Sequence, residues 1–182
     1  MLEWTKRIQE MTLAKPPNIF IDMDGVLVDF DKEFQKHMPG LTEDDDWEWE
    51  DLHKLCPDIY AIAPLMPDAH VFMDYIYEIG LDERTFILTA IPKRWNWPNV
   101  TKHKREWILN HFPWIPHQNI RFGPYAEDKQ YHCWNSNDIL IDDKIRNIQQ
   151  WRDRCGTGIH HVSGEWTMRQ LRDILISREA AG

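Results

Sequence analysis

The sequence predicts an α/β fold, with a parallel sheet flanked by helices and a small helical insertion after the first strand. Three observations predict it. Short, wholly apolar runs recur along the chain. Segments with helical spacing of apolar residues separate them. One acidic, tryptophan-rich stretch breaks that alternation. Strands alternating with helices are the pattern of a sheet whose two faces are covered by helices.

The elements follow in order. Leu2, Ile8 and Met11 fall on one side of a short amphipathic helix over Met1 to Met11, which Pro16-Pro17 stops. Ile19-Phe20-Ile21 is a buried-strand run that ends in Asp22, and Gly25 permits a tight turn just after it. Phe86-Ile87-Leu88, ending in Thr89, and Ile139-Leu140-Ile141, ending in Asp142-Asp143, are runs of the same kind. Ile120-Arg121-Phe122 and Ile159-His160-His161-Val162 are weaker strands. Val71, Phe72, Tyr75, Ile76 and Ile79 share a helix face, with Asp68 as cap and Gly80 as terminator. Further helices carry Trp107, Ile108 and Phe112 from near Thr101, then Ile145, Ile148 and Trp151, then Met168, Leu171, Ile174 and Leu175. The last residues, Ala180-Ala181-Gly182, are expected to fray. The core is expected over 1–29 and 68–182, and a small helical cap over 30–67. The sheet would be Rossmann-like in layout.

Composition narrows the function. The 182 residues suit one core plus an insertion, and 42% of them are hydrophobic, enough to fill it. The balance of 21 basic against 30 acidic side chains gives −9, so the chain is not expected to hold duplex nucleic acid. Cys56, Cys133 and Cys155 form no disulfide pattern, which points to a reducing cytoplasm. Glu3, Lys6, Arg7 and Glu10 interrupt any apolar leader, and no stretch is expected to span a membrane. His132-Cys133 and His160-His161 lack zinc-ligand spacing. With ten tryptophans in the chain, some are expected to be free to stack on a ligand.

Three of the apolar runs end in Asp22, Thr89 and Asp142. Ligands of open parallel sheets bind beyond the carboxyl ends of the strands, so these residues should meet at one edge. Asp22, Asp24, Asp142 and Asp143 cannot crowd there as bare anions without raised pKa values. A hard divalent cation, Mg²⁺, resolves the conflict. An aspartate beside that ion can attack phosphorus, and one two residues on can serve as acid and base. Thr89 would hold a phosphoryl oxygen, and a lysine must offset its charge.

Asp22-Met23-Asp24-Gly25-Val26-Leu27-Val28-Asp29-Phe30 resembles the first motif of the haloacid dehalogenase-like phosphatases, and within them the 5'(3')-deoxyribonucleotidases. Phe86-Ile87-Leu88-Thr89-Ala90 is similar to their second motif. Lys104-Arg105-Glu106-Trp107-Ile108, followed by His111-Phe112, is similar to the lysine-tryptophan helix after it. Arg121-Phe122 and Asp128-Lys129 resemble the third motif, and Leu140-Ile141-Asp142-Asp143-Lys144 the fourth. The resemblance covers most of the chain. It implies Asp22 as nucleophile and metal ligand, and Asp24 as acid/base whose carbonyl oxygen binds metal. It implies Thr89, Ala90, Lys129 and Lys104 for phosphate, and Asp142 and Asp143 to complete a Mg²⁺ site. The chain departs from the family at Ala90, where a serine hydroxyl is usual, over Lys93 to Asn99, and in the Gly123 to Glu127 approach to Lys129.

The implied activity is hydrolysis of a (deoxy)nucleoside monophosphate, with Phe30, Phe34, Trp47 and Trp49 around the base. A homodimer stands as an expectation. Two rivals share these motifs. One is a phosphatase acting on another small phosphomonoester or a nucleic-acid terminal phosphate, and the other is a non-catalytic binding protein on the same fold.

Overall fold

The computed structural model describes residues 16–41, 49–91, 99–123 and 126–181. The helix expected at the N-terminus, Trp47 and most of the Lys93 to Asn99 stretch lie outside the described residues.

Among the described residues, five strands form the sheet: β1 (Ile19–Ile21), β2 (Thr85–Ala90), β3 (Ile120–Gly123), β4 (Ile139–Asp142) and β5 (Thr157–His160). Their order is β3-β2-β1-β4-β5, and every pairing is parallel. The helices are α1 (Phe30–His37), α2 (Trp49–Leu55), α3 (Ile59–Ile62), α4 (Ala69–Glu78), α5 (Val100–His111), α6 (Ile145–Asp153) and α7 (Gly164–Ala181). This is the expected Rossmann-like α/β arrangement. No described helix is long and apolar enough to cross a membrane.

Both faces of the central strands are buried, which is why their sequences are unbroken apolar runs. Ile19, Ile21, Ile87, Ile139 and Ile141 join Phe72, Met73 and Ile76 of α4, Trp107 and Ile108 of α5, and Leu171 of α7 in the main core. The alternate residues Phe20, Phe86, Leu88 and Leu140 face the other way, onto Ile148 and Trp151 of α6. Phe20 stacks on Phe86 at 5.0 Å and meets Trp151 at 5.1 Å between ring centroids. Helices α1 to α3 carry a separate apolar cluster of Phe34, Leu52, Cys56, Ile59 and Tyr60, closed by Val100. Trp107 ties this region to the core, since its Nε1–H donates to the Ala63 carbonyl at 2.8 Å.

At the amino end of the sheet Asp138 is fully buried. Its carboxylate accepts from Asn18 Nδ2 (2.9 Å), Trp134 N (2.8 Å), Asn135 N (3.0 Å) and Asn135 Nδ2 (2.9 Å). Asp138→Ala strands those donors. Hydrogen bonds to a charged group are worth about 1.5–3 kcal/mol each, so a loss of at least about 3 kcal/mol is expected in urea unfolding.

The structure corrects several expectations. β5 begins at Thr157, two residues before the expected run, and ends at His160. Its Gly158 hides the start of the strand in the sequence. A Cβ there would lie 2.7 Å from Ile148 Cγ2, so α6 packs directly on the backbone. Asp68 makes no side-chain cap on α4; its Oδ2 instead accepts from Gly164 N at the start of α7. Val71 and Ile145, expected on core faces, are exposed, because their helices turn those positions to solvent. Phe112 follows α5 as its C-cap. Helix α7 continues through Ala181.

Candidate active site

The carboxyl ends of β1, β2 and β4 meet at one edge of the sheet. β1 lies between β2 and β4, with Ile21 opposite both Ile87 and Ile141. The next residue, Asp22, is fixed by its own N–H, which donates to the Ile141 carbonyl at 2.9 Å. Asp22 Oδ1 accepts from Met23 N at 2.7 Å. Beyond it the chain loops back, with Leu27 N and Val28 N both donating to the Met23 carbonyl. Asp29 then caps α1 by accepting from Lys32 N at 3.1 Å.

Gly25 occupies that loop at φ +78°, in the left-handed region. A Cβ at Gly25 would stand 2.7 Å from Asp143 Oδ2. Glycine is thus needed twice, for the turn and for the approach of Asp143.

Two buried lysines meet the acids. Lys129, from a 3-10 segment at Ala126–His132, lies 2.5 Å from Asp22 Oδ2 and 2.7 Å from Asp142 Oδ2. Burial works against its charge, but Asp22 and Asp142 outweigh it and hold its pKa above that of ordinary lysine. Lys104, from α5, has no exposed surface. Its ammonium donates to Asp24 Oδ2 (2.5 Å), Thr89 Oγ1 (2.8 Å) and the Ala90 carbonyl (3.0 Å), and stands 4.5 Å above the Tyr60 ring.

The acids respond to this crowding. Burial, with Asp22 next, pushes Asp142 up to about 6, against the pull of Lys129. Burial, then Asp22 and Asp142, pushes Asp143 up to about 7. Burial also raises Asp24, against Lys104 and with Asp22. The side chain of Asp24 keeps 33% of its surface open, yet its Oδ1 is enclosed and, among the described residues, has no hydrogen-bond partner. Asp143 Oδ1 is likewise enclosed and without one.

Four carboxylates thus face two buried ammoniums. Asp22, Asp142 and Asp143 can each bring one oxygen within 4.8 Å of the others. An all-oxygen donor set, an unpartnered buried oxygen and a surplus of negative charge fit a hard divalent cation. Within the set, Asp142 already receives Lys129, Lys144 N (2.9 Å) and Asn147 Nδ2 (3.0 and 3.1 Å). The Asp143 carboxylate, among the described residues, pairs with the half-exposed Lys144 at 3.7 Å.

The structure therefore brings together Asp22, Asp24, Thr89, Ala90, Lys104, Lys129, Asp142 and Asp143. Lys104 is spent on Asp24, Thr89 and Ala90, all three from the protein itself. Phe30 stacks on Tyr60 at 5.4 Å, one ring removed from Lys104. Phe34 is packed in the α1–α3 cluster, 6.3 Å from Phe30. Trp47 and the Trp49 side chain lie outside the described residues. Trp107 and Trp151, by contrast, are core. Sequence reasoning missed Tyr60 and Asn147. Tyr60 carried no signal, whereas Asn147 sits one helical turn after Asp143 and could have been suspected from that spacing.

No protein-family model matches the chain. It is 27% identical over 149 residues to a 5'(3')-deoxyribonucleotidase of Bacillus subtilis (strain 168), covering 73% of this chain and 79% of that protein. The 5'(3')-deoxyribonucleotidase of Bacillus phage SPbeta matches with the same figures. A 5'(3')-deoxyribonucleotidase of Clostridium acetobutylicum is 26% identical over 172 residues, covering 86% of this chain and 90% of that protein.

Proposed function

We propose that this chain is a Mg²⁺-dependent phosphatase that hydrolyses (deoxy)nucleoside monophosphates through an aspartyl-phosphate on Asp22. One observation carries the reading: Asp22 and Asp24 stand at a sheet edge with Thr89, each paired with a different buried lysine. The names of the three relatives support nucleotide as the substrate.

Asp22 attacks phosphorus in line, forming an O–P bond as the ester P–O bond breaks. Asp24 gives its proton to the departing sugar oxygen, and its raised pKa suits a group that must carry one. Water then attacks the phosphoaspartate while Asp24 takes the water proton, releasing phosphate and restoring Asp22. Lys129 offsets charge at Asp22, and Thr89 with the Ala90 backbone receives phosphoryl oxygens. Lys104 holds Asp24 against Thr89, which sets the acid beside the phosphate cup. Asp22, Asp143 and the Asp24 carbonyl would hold Mg²⁺, with Asp142 beside them. Bound there, the ion would neutralise charge on the phosphoryl group. The 30–67 region would act as a cap presenting Phe30, Trp47 and Trp49 to the base, while Phe34 stays packed in the α1–α3 cluster beside Phe30. The setting we infer is a reducing cytoplasm.

A panel of phosphomonoesters assayed for phosphate release with Mg²⁺ tests the reading. Deoxynucleoside monophosphates should be the preferred substrates. Preference for sugar phosphates or phosphorylated oligonucleotide ends would overturn the substrate, and absence of all turnover would overturn the activity.

The raised carboxyls also set a pH dependence. Between the ordinary value of 3.8 and about 7, folded Asp142 and Asp143 keep protons that the unfolded chain has released. Their contribution to stability therefore falls as pH rises through that window. Mg²⁺ competes with those protons. Its addition should raise the melting temperature more above pH 7 than near pH 4, as read by calorimetry. An equal shift at both would contradict the metal site.

A further inference from the structure

Asn147 lies outside every motif of the site, in the first turn of α6, and is 5% exposed. Its Nδ2 is 3.0 Å from Asp142 Oδ1 and 3.1 Å from Asp142 Oδ2. One amide nitrogen thus addresses both oxygens, which fixes the plane of the carboxylate and not merely its position. The backbone N of Asn147 donates to the Lys144 carbonyl at 3.0 Å, so the amide is carried on a hydrogen-bonded helix end. A carboxylate offers about four lone-pair directions. At Asp142 they are met by Lys144 N, by Lys129, and by Asn147 on each oxygen. The Asp142 oxygen shared by Asn147 and Lys129 is Oδ2, and the same ammonium continues to Asp22 at 2.5 Å. A continuous chain therefore runs from Asn147 through Asp142 and Lys129 to Asp22. A leucine would fill the volume of Asn147 without the cost of burying an amide, so space-filling does not account for it.

We propose that Asn147 is a positioning residue. It sets the plane of Asp142, and through Asp142 it places Lys129 beside Asp22. The inference deepens the phosphatase reading and rests on it. Partners that orient an active-site carboxylate typically cost about 10- to 100-fold in metal affinity or activity when removed.

The test is a double-mutant cycle of Asn147→Leu and Asp142→Asn, with Asn147→Ser as a variant that retains a donor. Mn²⁺ affinity is read by electron paramagnetic resonance, and kcat/KM on a deoxynucleoside monophosphate with Mg²⁺. In the wild-type background Asn147→Leu should lower both by about 10- to 100-fold, and Asn147→Ser should recover part of the loss. In the Asp142→Asn background Asn147→Leu should change neither, because Asn147 acts only through Asp142. Equal losses in the two backgrounds, which a merely structural role would give, would overturn the proposal. So would an Asn147→Leu protein with wild-type metal affinity. If the wild-type chain binds Mn²⁺ but turns over no phosphomonoester, the phosphatase reading fails and the metal-affinity cycle alone decides on Asn147. A wild-type chain that takes up no Mn²⁺ overturns both.

Discussion

Asp22→Asn is expected to abolish phosphate release while leaving the fold intact. The amide keeps the volume of the carboxylate, and the backbone bonds at this position, from Asp22 N to Ile141 O among them, do not depend on charge. What is lost is the oxygen that the proposed mechanism uses as nucleophile, and no other described side chain is set to replace it. Asp24 is committed to Lys104, and Asp142 to Lys129 and Asn147. Loss of a nucleophile typically costs about 10⁴- to 10⁶-fold in kcat. Stability should move the other way. Asp22 is among the causes that raise Asp24, Asp142 and Asp143, so removing its charge relieves all three. The melting temperature of the variant, measured without metal at neutral pH, should equal or exceed that of the wild type. A variant that retains activity within about tenfold of wild type would rule out Asp22 as nucleophile.

That result would test the part of the site most open to reading from sequence. Asp22, Thr89 and Asp142 each end an apolar run, and parallel strands bring such ends together whatever the connections between them. β1, β2 and β4 were readable because both faces of each are buried. The start of β5 was not, because Thr157-Gly158 trades side-chain bulk for close packing by α6, and that trade leaves no apolar signal ahead of Ile159. Lys104 shows a different limit. In sequence it is one more basic residue of a helix that also carries the exposed Lys102 and the half-buried Arg105. Only the packing of α5 against α3 carries its ammonium inward, between Tyr60 and Asp24. Tyr60 was invisible for the same reason, since it meets Lys104 only across elements, whereas Asn147 left the weak signal of its spacing from Asp143.

Lys129→Met should show how the remaining acids tolerate one another. Methionine keeps the length and the apolar stem of lysine and removes its charge. Asp22 and Asp142 then lose the ammonium at 2.5 and 2.7 Å, and the pKa of Asp142 should climb further above about 6. Below pH 3.8 Asp142 and Asp143 are protonated in either protein, and the substitution should cost little stability. Above pH 7 they must ionise without a partner. Removing one member of a buried ion pair costs about 3–5 kcal/mol, so urea unfolding should separate the two proteins by that much at high pH. Mg²⁺ should narrow the gap, since it replaces the missing positive charge. Activity should remain depressed by about 10²- to 10³-fold even with metal, because the ion cannot take the place of a donor aimed at the attacking oxygen. Recovery of stability without recovery of rate would separate the two tasks of Lys129. One is holding Asp22 and Asp142 together in the resting site; the other, under the proposed mechanism, is meeting the phosphoryl charge during attack by Asp22.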